Sequence, residues 1–282
     1  MNYRHLYHAG NFADVFKHIL LVSLIDALCR KPQPLSYIET HAGIGNYDLD
    51  LREAKATEEF TGGIVTLLAT LESSRPAAVN RYVQQVLQWN SDRGCEHLRY
   101  YPGSPCLVRS LLRENDKMIL AELHPEDVVL LKKHFWRDPQ VAVHQMDGYL
   151  ALKAFLPPKP NRGLVLIDPP FEKLDEFEQV VKHFSIALQR WRSATYAIWY
   201  PIKDSAVVKQ FYCALQQQHL PETLCCEIHL PSKDKGLTAC GMVVVNPPWQ
   251  WKEYVDAVLP WLSQALAAPD AGFYRVAWLV SE

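Results

Sequence analysis

From residue 35 onward the chain alternates short apolar runs with helix-length segments. Seven such runs end in polar, Gly or Pro signals: LSYIET at 35–40, KMILAEL at 117–123, QVAVHQM at 140–146, GLVLID at 163–168, ATYAIWY at 194–200, TLCCEIHL at 223–230 and ACGMVVVN at 239–246. Strands separated by helices are the pattern of βα units that build a parallel sheet. The intervening spacing predicts helices over about 13–29, 125–135, 174–190, 204–218 and 251–266. The stretch from about 50 to 101 breaks the alternation. There Val79, Tyr82, Val83, Val86 and Leu87 recur at helical spacing behind Pro76, and GGIVTLLATLE reads as another helix. The expectation is a small helical subdomain, 51–101, inserted into a core domain made of 1–50 and 102–282.

Composition narrows the class. The 282 residues, 49% hydrophobic, suffice for one large globular domain or a core domain with an insertion. The longest apolar stretch, ILLVSLIDALC at 19–29, is too short to span a bilayer, and the N-terminal MNYRHLYHAGN has no apolar signal segment. A cytoplasmic location with no membrane association is therefore expected. Seven cysteines, an odd number without CxxC or zinc-ligand spacing, point to reduced thiols and no metal. A net charge of −2 excludes a uniformly basic nucleic-acid binder, so any phosphate contact needs a local patch. No protein partner is evident.

The candidate chemistry gathers at strand ends. After the first strand comes E39-T-H-A-G43-I-G45, whose glycines allow backbone to approach a ligand at the first strand-to-helix turn. The second strand ends in Glu122, placed to accept the hydroxyls of a ribose. The third ends in Asp147-Gly148, suited to an adenine amino group and a ring lying against backbone. Each has an ordinary reading too: a tight turn, a solvated strand-end charge, an Asp-Gly turn. Their succession, Gly turn then acid then Asp, is what points to a nucleoside cofactor.

The fourth strand delivers Asp168-Pro169-Pro170-Phe171. Asp-Pro-Pro-aromatic is a short signature of enzymes that methylate amino groups on bases. An exocyclic amino nitrogen is a poor nucleophile because its lone pair is delocalised into the ring. The Asp168 side chain and the Pro169 carbonyl, accepting its two N–H bonds, would expose that lone pair to a sulfonium methyl. The prolines stiffen the turn and Phe171 offers a stacking face. Such a base must be unpaired or flipped out of its helix. Asn246-Pro247-Pro248-Trp249 repeats the pattern. In a seven-stranded sheet whose last strand is antiparallel, however, it emerges at the opposite edge, as a structural turn with Trp249 packing.

Taken together, YRHLYHAGNFADVFKH (3–18), THAGIG (40–45), YYPGSP (100–105), ELHP (122–125), LIDPPF (166–171), WYP (199–201) and GMVVVNPPW (241–249) resemble the ribosomal RNA large subunit methyltransferase J family, end to end. The resemblance implies a Rossmann-like class I methyltransferase core of seven mainly parallel strands, the last antiparallel, with an inserted helical subdomain. It implies S-adenosyl-L-methionine as cofactor, S-adenosyl-L-homocysteine as product, and N6 of an adenine in 23S ribosomal RNA as target. Carried onto this chain, His18, His41, Ser104, Glu122, Asp147, Gly148 and Asp168 would contact the cofactor. Asp168 would be catalytic, and Tyr3 would touch RNA with Lys17, Pro169 and Phe171. Phe171 departs from the more usual tyrosine. Arg4, His5, His8, Lys17 and His18, with Arg30, Lys31, Arg52 and Lys55, could form the local basic face. Two other readings remain open on residues alone: a DNA adenine-N6 methyltransferase or protein linked to use of external DNA, and a non-catalytic binding protein on the same fold.

Overall fold

The computed structural model describes residues 4–231 and 236–281. A one-turn 3-10 helix at His5–Tyr7 leads into α1 (Phe12–Cys29), which starts where the Asn11 side chain accepts the Asp14 N–H. Fourteen residues of α1 are buried, so this helix is apolar nearly all round and runs through the core. β1 (Ser36–Glu39) follows, then β2 (Asn46–Asp48) and the helices α2 (Arg52–Thr57), α3 (Ile64–Leu68) and α4 (Ala77–Ser91). β3 (Tyr100–Pro102) closes that excursion by pairing antiparallel with β2, Asn46 opposite Pro102.

The remainder is α5 (Ser104–Leu111), β4 (Lys117–Glu122), α6 (Pro125–His134), β5 (Val141–Gln145), α7 (Gly148–Phe155), β6 (Gly163–Ile167), α8 (Glu176–Arg190), β7 (Thr195–Pro201), α9 (Ser205–Gln216), β8 (Thr223–His229), β9 (Ala239–Val245), α10 (Trp251–Ala267) and β10 (Phe273–Val280). The main sheet has eight strands in the order β10-β8-β9-β7-β6-β1-β4-β5. β1, β4, β5, β6 and β7 are parallel. β9 is antiparallel to both neighbours, as expected, and β10 adds an eighth strand antiparallel to β8.

The sheet divides two cores by the two-residue alternation of its strands. Tyr37, Leu164 and Leu166 face the layer containing α1 and α10, whereas Ile38, Val165 and Ile167 face the layer of α7, α8 and α9. With both faces covered, β1 and β6 are buried at every position, and GLVLI of β6 reads as a continuous apolar run. Successive strands leave β1 in one direction through β4 and β5, then in the other through β6 and β7. The crevice at that reversal, beyond the carboxyl ends of β1 and β6, is where ligands bind in such sheets.

Asn246 sits at the far edge, as strand direction predicts. Its side-chain amide donates to the carbonyls of Arg192 and Ala194, 2.8 Å each, just ahead of β7. Its φ of +51° is one that Asn tolerates better than most residues. Trp249 corrects the expectation of packing: it is 86% exposed. The buried ring is Trp251, whose Nε1 donates to Ser23 Oγ at 2.8 Å. Trp251 begins α10 and meets α1, whereas Trp249 lies in the turn before it. Among the described residues no helix is long and apolar enough to cross a membrane.

Candidate functional site

At the reversal of strand order lies a cleft of about 1070 Å³. Lys17, His18, His41, Ser104, Glu122, Asp147, Gly148, Asp168, Pro169 and Phe171 all line it. Tyr3, the remaining candidate, lies outside the described residues. These positions span more than half the chain: parallel strands present their carboxyl ends to one edge, while Lys17 and His18 reach it from α1 and Ser104 from the start of α5.

One side of the cleft is built around backbone. Gly43 and Gly45 adopt φ of +60° and +79°, which glycine reaches without steric cost. The turn they form is pinned on both sides: Gly43 N–H donates to Glu122 Oε2 at 2.7 Å, and Gly103 N–H donates to the Gly45 carbonyl at 2.8 Å. Glu122 is 5% exposed and takes a second N–H, from His124, on Oε1. Burial raises its pKa despite those donors. Each oxygen retains lone-pair capacity for a further donor such as a sugar hydroxyl.

Asp147 caps α7, accepting the Tyr149 and Leu150 N–H groups on Oδ1; among the described residues no bond engages Oδ2. A side chain at Gly148 would run into the Thr40 carbonyl oxygen, so glycine is what lets α7 start against β1. His41, half-buried, has Nδ1 at 2.8 Å from Thr40 Oγ1, and desolvation pushes it down to about 4, hence neutral.

His18 is 1% exposed, and burial pushes its pKa down to about 3. Its Nδ1 meets Tyr101 Oη at 2.7 Å, which in turn meets Tyr82 Oη at 2.9 Å. Each hydroxyl proton finds an acceptor only if Tyr82 donates to Tyr101 and Tyr101 donates to Nδ1. His18 Nε2 is then an N–H donor, buried and without a partner among the described residues. Ser104 opens α5 and donates to Glu39 Oε1, while Tyr37 donates to Oε2 at 2.8 Å. Burial nonetheless pushes Glu39 up to about 8.

The other side of the cleft is charged. Asp14, Lys17 and His18 are spaced i, i+3, i+4, so α1 presents them on one face. Lys17 Nζ lies 3.0 Å from Asp14 Oδ1 and 2.6 Å from Asp168 Oδ2. Its side chain is only 6% exposed. Desolvation works to lower the Lys17 pKa, but Asp14 and Asp168 hold it well above the usual range. Asp14 in turn accepts His5 Nε2 and the Gly10 N–H, each at 2.9 Å. Burial would raise its carboxyl; His5 and Lys17 hold it well below the ordinary value. Lys17 is thus an internal cation beside the DPP turn rather than part of an exposed basic face.

Among the described residues Asp168 has no bond on Oδ1, and its side chain keeps 15% exposure toward the cleft. Phe171 holds φ +48°, a conformation rare for a bulky residue and found where surroundings enforce it. Those surroundings are Phe177 and Trp199, with ring centroids 4.8 and 5.9 Å away.

His5, Asp14 and Glu39 belong to this network although the sequence did not single them out as partners. Asp14 gave one signal, its place on the Lys17–His18 face of a predicted helix; the others are joined only by tertiary contact. Among the described residues no group of three or more His, Cys, Asp or Glu side chains could hold a metal ion.

Comparison with known proteins finds close relatives. The profile of the family described as ribosomal RNA large subunit methyltransferase D, RlmJ, matches residues 32–280. Proteins named ribosomal RNA large subunit methyltransferase J from Escherichia coli and Haemophilus influenzae are each 39% identical over 284 aligned positions, covering all of both chains. A crystal structure of a Legionella pneumophila protein superposes with a TM-score of 0.87 at 34% identity, covering 96% of this chain and 98% of that one.

Proposed function

The chain belongs to the ribosomal RNA large subunit methyltransferase J family, and from that premise we propose that it methylates N6 of an unpaired or flipped adenine in 23S ribosomal RNA. Its cofactor in this reading is S-adenosyl-L-methionine, released as S-adenosyl-L-homocysteine. The observation that carries it is Asp168: one oxygen held by Lys17, the other turned free into a cleft whose opposite side suits a nucleoside.

The residues present fit that cofactor. Glu122 offers two oxygens to the ribose hydroxyls, and Asp147 Oδ2 offers an acceptor for the adenine amino group. The orphaned Nε2–H of His18 suits the carboxylate of the amino-acid end, with Ser104 and His41 beside it on the cleft wall. When bound, the cofactor supplies a methyl group activated by a positively charged sulfur.

Asp168 Oδ1 and the Pro169 carbonyl accept the two N–H bonds of the substrate amino group, which turns the nitrogen lone pair out of conjugation. Lys17 fixes the carboxylate so that little reorganisation is needed as positive charge develops on N6. Asp168, or water beside it, takes the single proton that N6 gives up as it gains the methyl. Phe171 provides the face against which the base lies.

The test is transfer of labelled methyl to 23S RNA, to assembled subunits and to DNA fragments, with the modified base mapped. N6-methyladenine at one site in the RNA is expected; preference for DNA, or methylation of another atom, overturns the reading.

A further inference from the structure

Leu174 is 106% exposed, the most exposed large apolar side chain among the described residues. It occupies the turn between the DPP segment and α8, six positions past Asp168. Its neighbours Lys173 and Asp175 both line the cleft. The turn is not loose: Glu176 N–H donates to the Lys173 carbonyl at 3.3 Å, and Phe171 is clamped by Phe177 and Trp199. A leucine is thus held fully in water at the mouth of a cleft into which a base has to be drawn. Lys173 and Lys203, also lining the cleft, form no ion pair among the described residues, so their charge is available to a phosphate backbone.

Drawing a base out of a helix leaves a gap between its stacked neighbours, and proteins that deform nucleic acid fill such gaps with apolar wedges. We propose that Leu174 is a positioning residue that enters the stack vacated by the substrate adenine, with Lys173 and Lys203 holding the adjoining phosphates. The inference rests on the adenine-methylation reading above. It explains why an aliphatic side chain, which gains nothing in water, stands at this rim.

The test uses two RNA hairpins of equal sequence around one target adenine, paired in the first and bulged in the second, with wild type, Leu174→Ala and Leu174→Met. Leu174→Ala should lower kcat/KM about tenfold on the paired hairpin but less than about twofold on the bulged one. Leu174→Met should restore most of the loss. With 2-aminopurine replacing the target, the Ala variant should show a smaller fluorescence rise on the paired hairpin. Equal loss on both hairpins, or none on the paired one, overturns the wedge. Wild type should methylate the bulged hairpin, and absence of transfer to both hairpins, to 23S RNA and to assembled subunits overturns the functional reading itself.

Discussion

Lys17 on α1 and Asp168 beyond β6 lie 151 positions apart in sequence, and their charged groups lie 2.6 Å apart in space. The pair is nearly dry on the lysine side and continues through Asp14 to His5, so the Asp168 carboxylate is the outer member of a four-residue polar chain.

Removing the proposed acceptor, Asp168, should therefore affect chemistry far more than stability. Asp168→Ala is expected to lower methyl transfer by about 10²–10³, the usual consequence of losing one preorganised group. Lys17 keeps Asp14 as a partner, so the thermal midpoint should move little. Single-turnover transfer measured beside thermal unfolding checks both halves, and transfer at the wild-type rate would remove Asp168 from its role.

Replacing the cation should reverse that balance. Lys17→Met leaves Asp14 buried without its ammonium partner, and breaking a buried pair from one side costs about 3–5 kcal/mol. A drop of roughly 6–20 °C in the thermal midpoint is expected, at about 2–4 °C per kcal/mol for a large single domain. Transfer should fall as well, measured below the lowered midpoint.

Glu39 gives a pH signature. Its folded pKa of about 8 stands above the ordinary value of 4.5, so between those limits the folded state binds the proton and the unfolded state does not. Stability contributed by this group is complete below the lower limit and is lost as pH rises through the upper one. Glu39→Gln should flatten that decline, making the variant relatively more stable at about pH 8 than at about pH 5. Unfolding by urea at both values is the measurement.

Asn246→Ala should do the opposite of Asp168→Ala. It removes two hydrogen bonds to the Arg192 and Ala194 carbonyls and puts alanine at φ +51°. A loss of about 1–3 kcal/mol is expected, with methyl transfer per folded molecule unchanged. Lost transfer at full stability would mean that the second PP turn takes part in chemistry.

These outcomes follow the line between what the sequence showed and what it hid. The parallel strands were legible because short, mainly apolar runs leading into Glu122, Asp147 and Asp168 announce a parallel sheet and its ligand edge together. β10 was not: Phe273, Tyr274 and Arg275 are exposed, so FYRVAWLV lacks the alternation of a half-buried strand. β2 and β3, three residues each, are too short to carry any period. The pairing of Lys17 with Asp168 was equally hidden. Helical spacing places Lys17 on a face, but only the packing of α1 decides what that face meets. The same limit applies to Trp249 and Trp251, where two nearby indoles share a composition and differ wholly in burial.

The β2–β3 ladder closes a circuit. It holds Asp48 opposite Tyr100 and Asn46 opposite Pro102, so the path along the cleft wall runs from Gly45 directly to Gly103 whatever lies in the excursion between them. The helices of 51–99 are also anchored beyond that clasp, since Ile64, Leu67, Val79, Tyr82 and Val86 are buried in the core shared with α1 and Tyr82 meets Tyr101, so only the exposed turns of the excursion are mechanically independent of the cleft. Length changes, grafted sequences or a fluorescent tag placed in the turns of that excursion should be far better tolerated than a single substitution that breaks the clasp. The exposed turn around Leu71 is thus a place where added chain can leave the molecule without crossing the cleft.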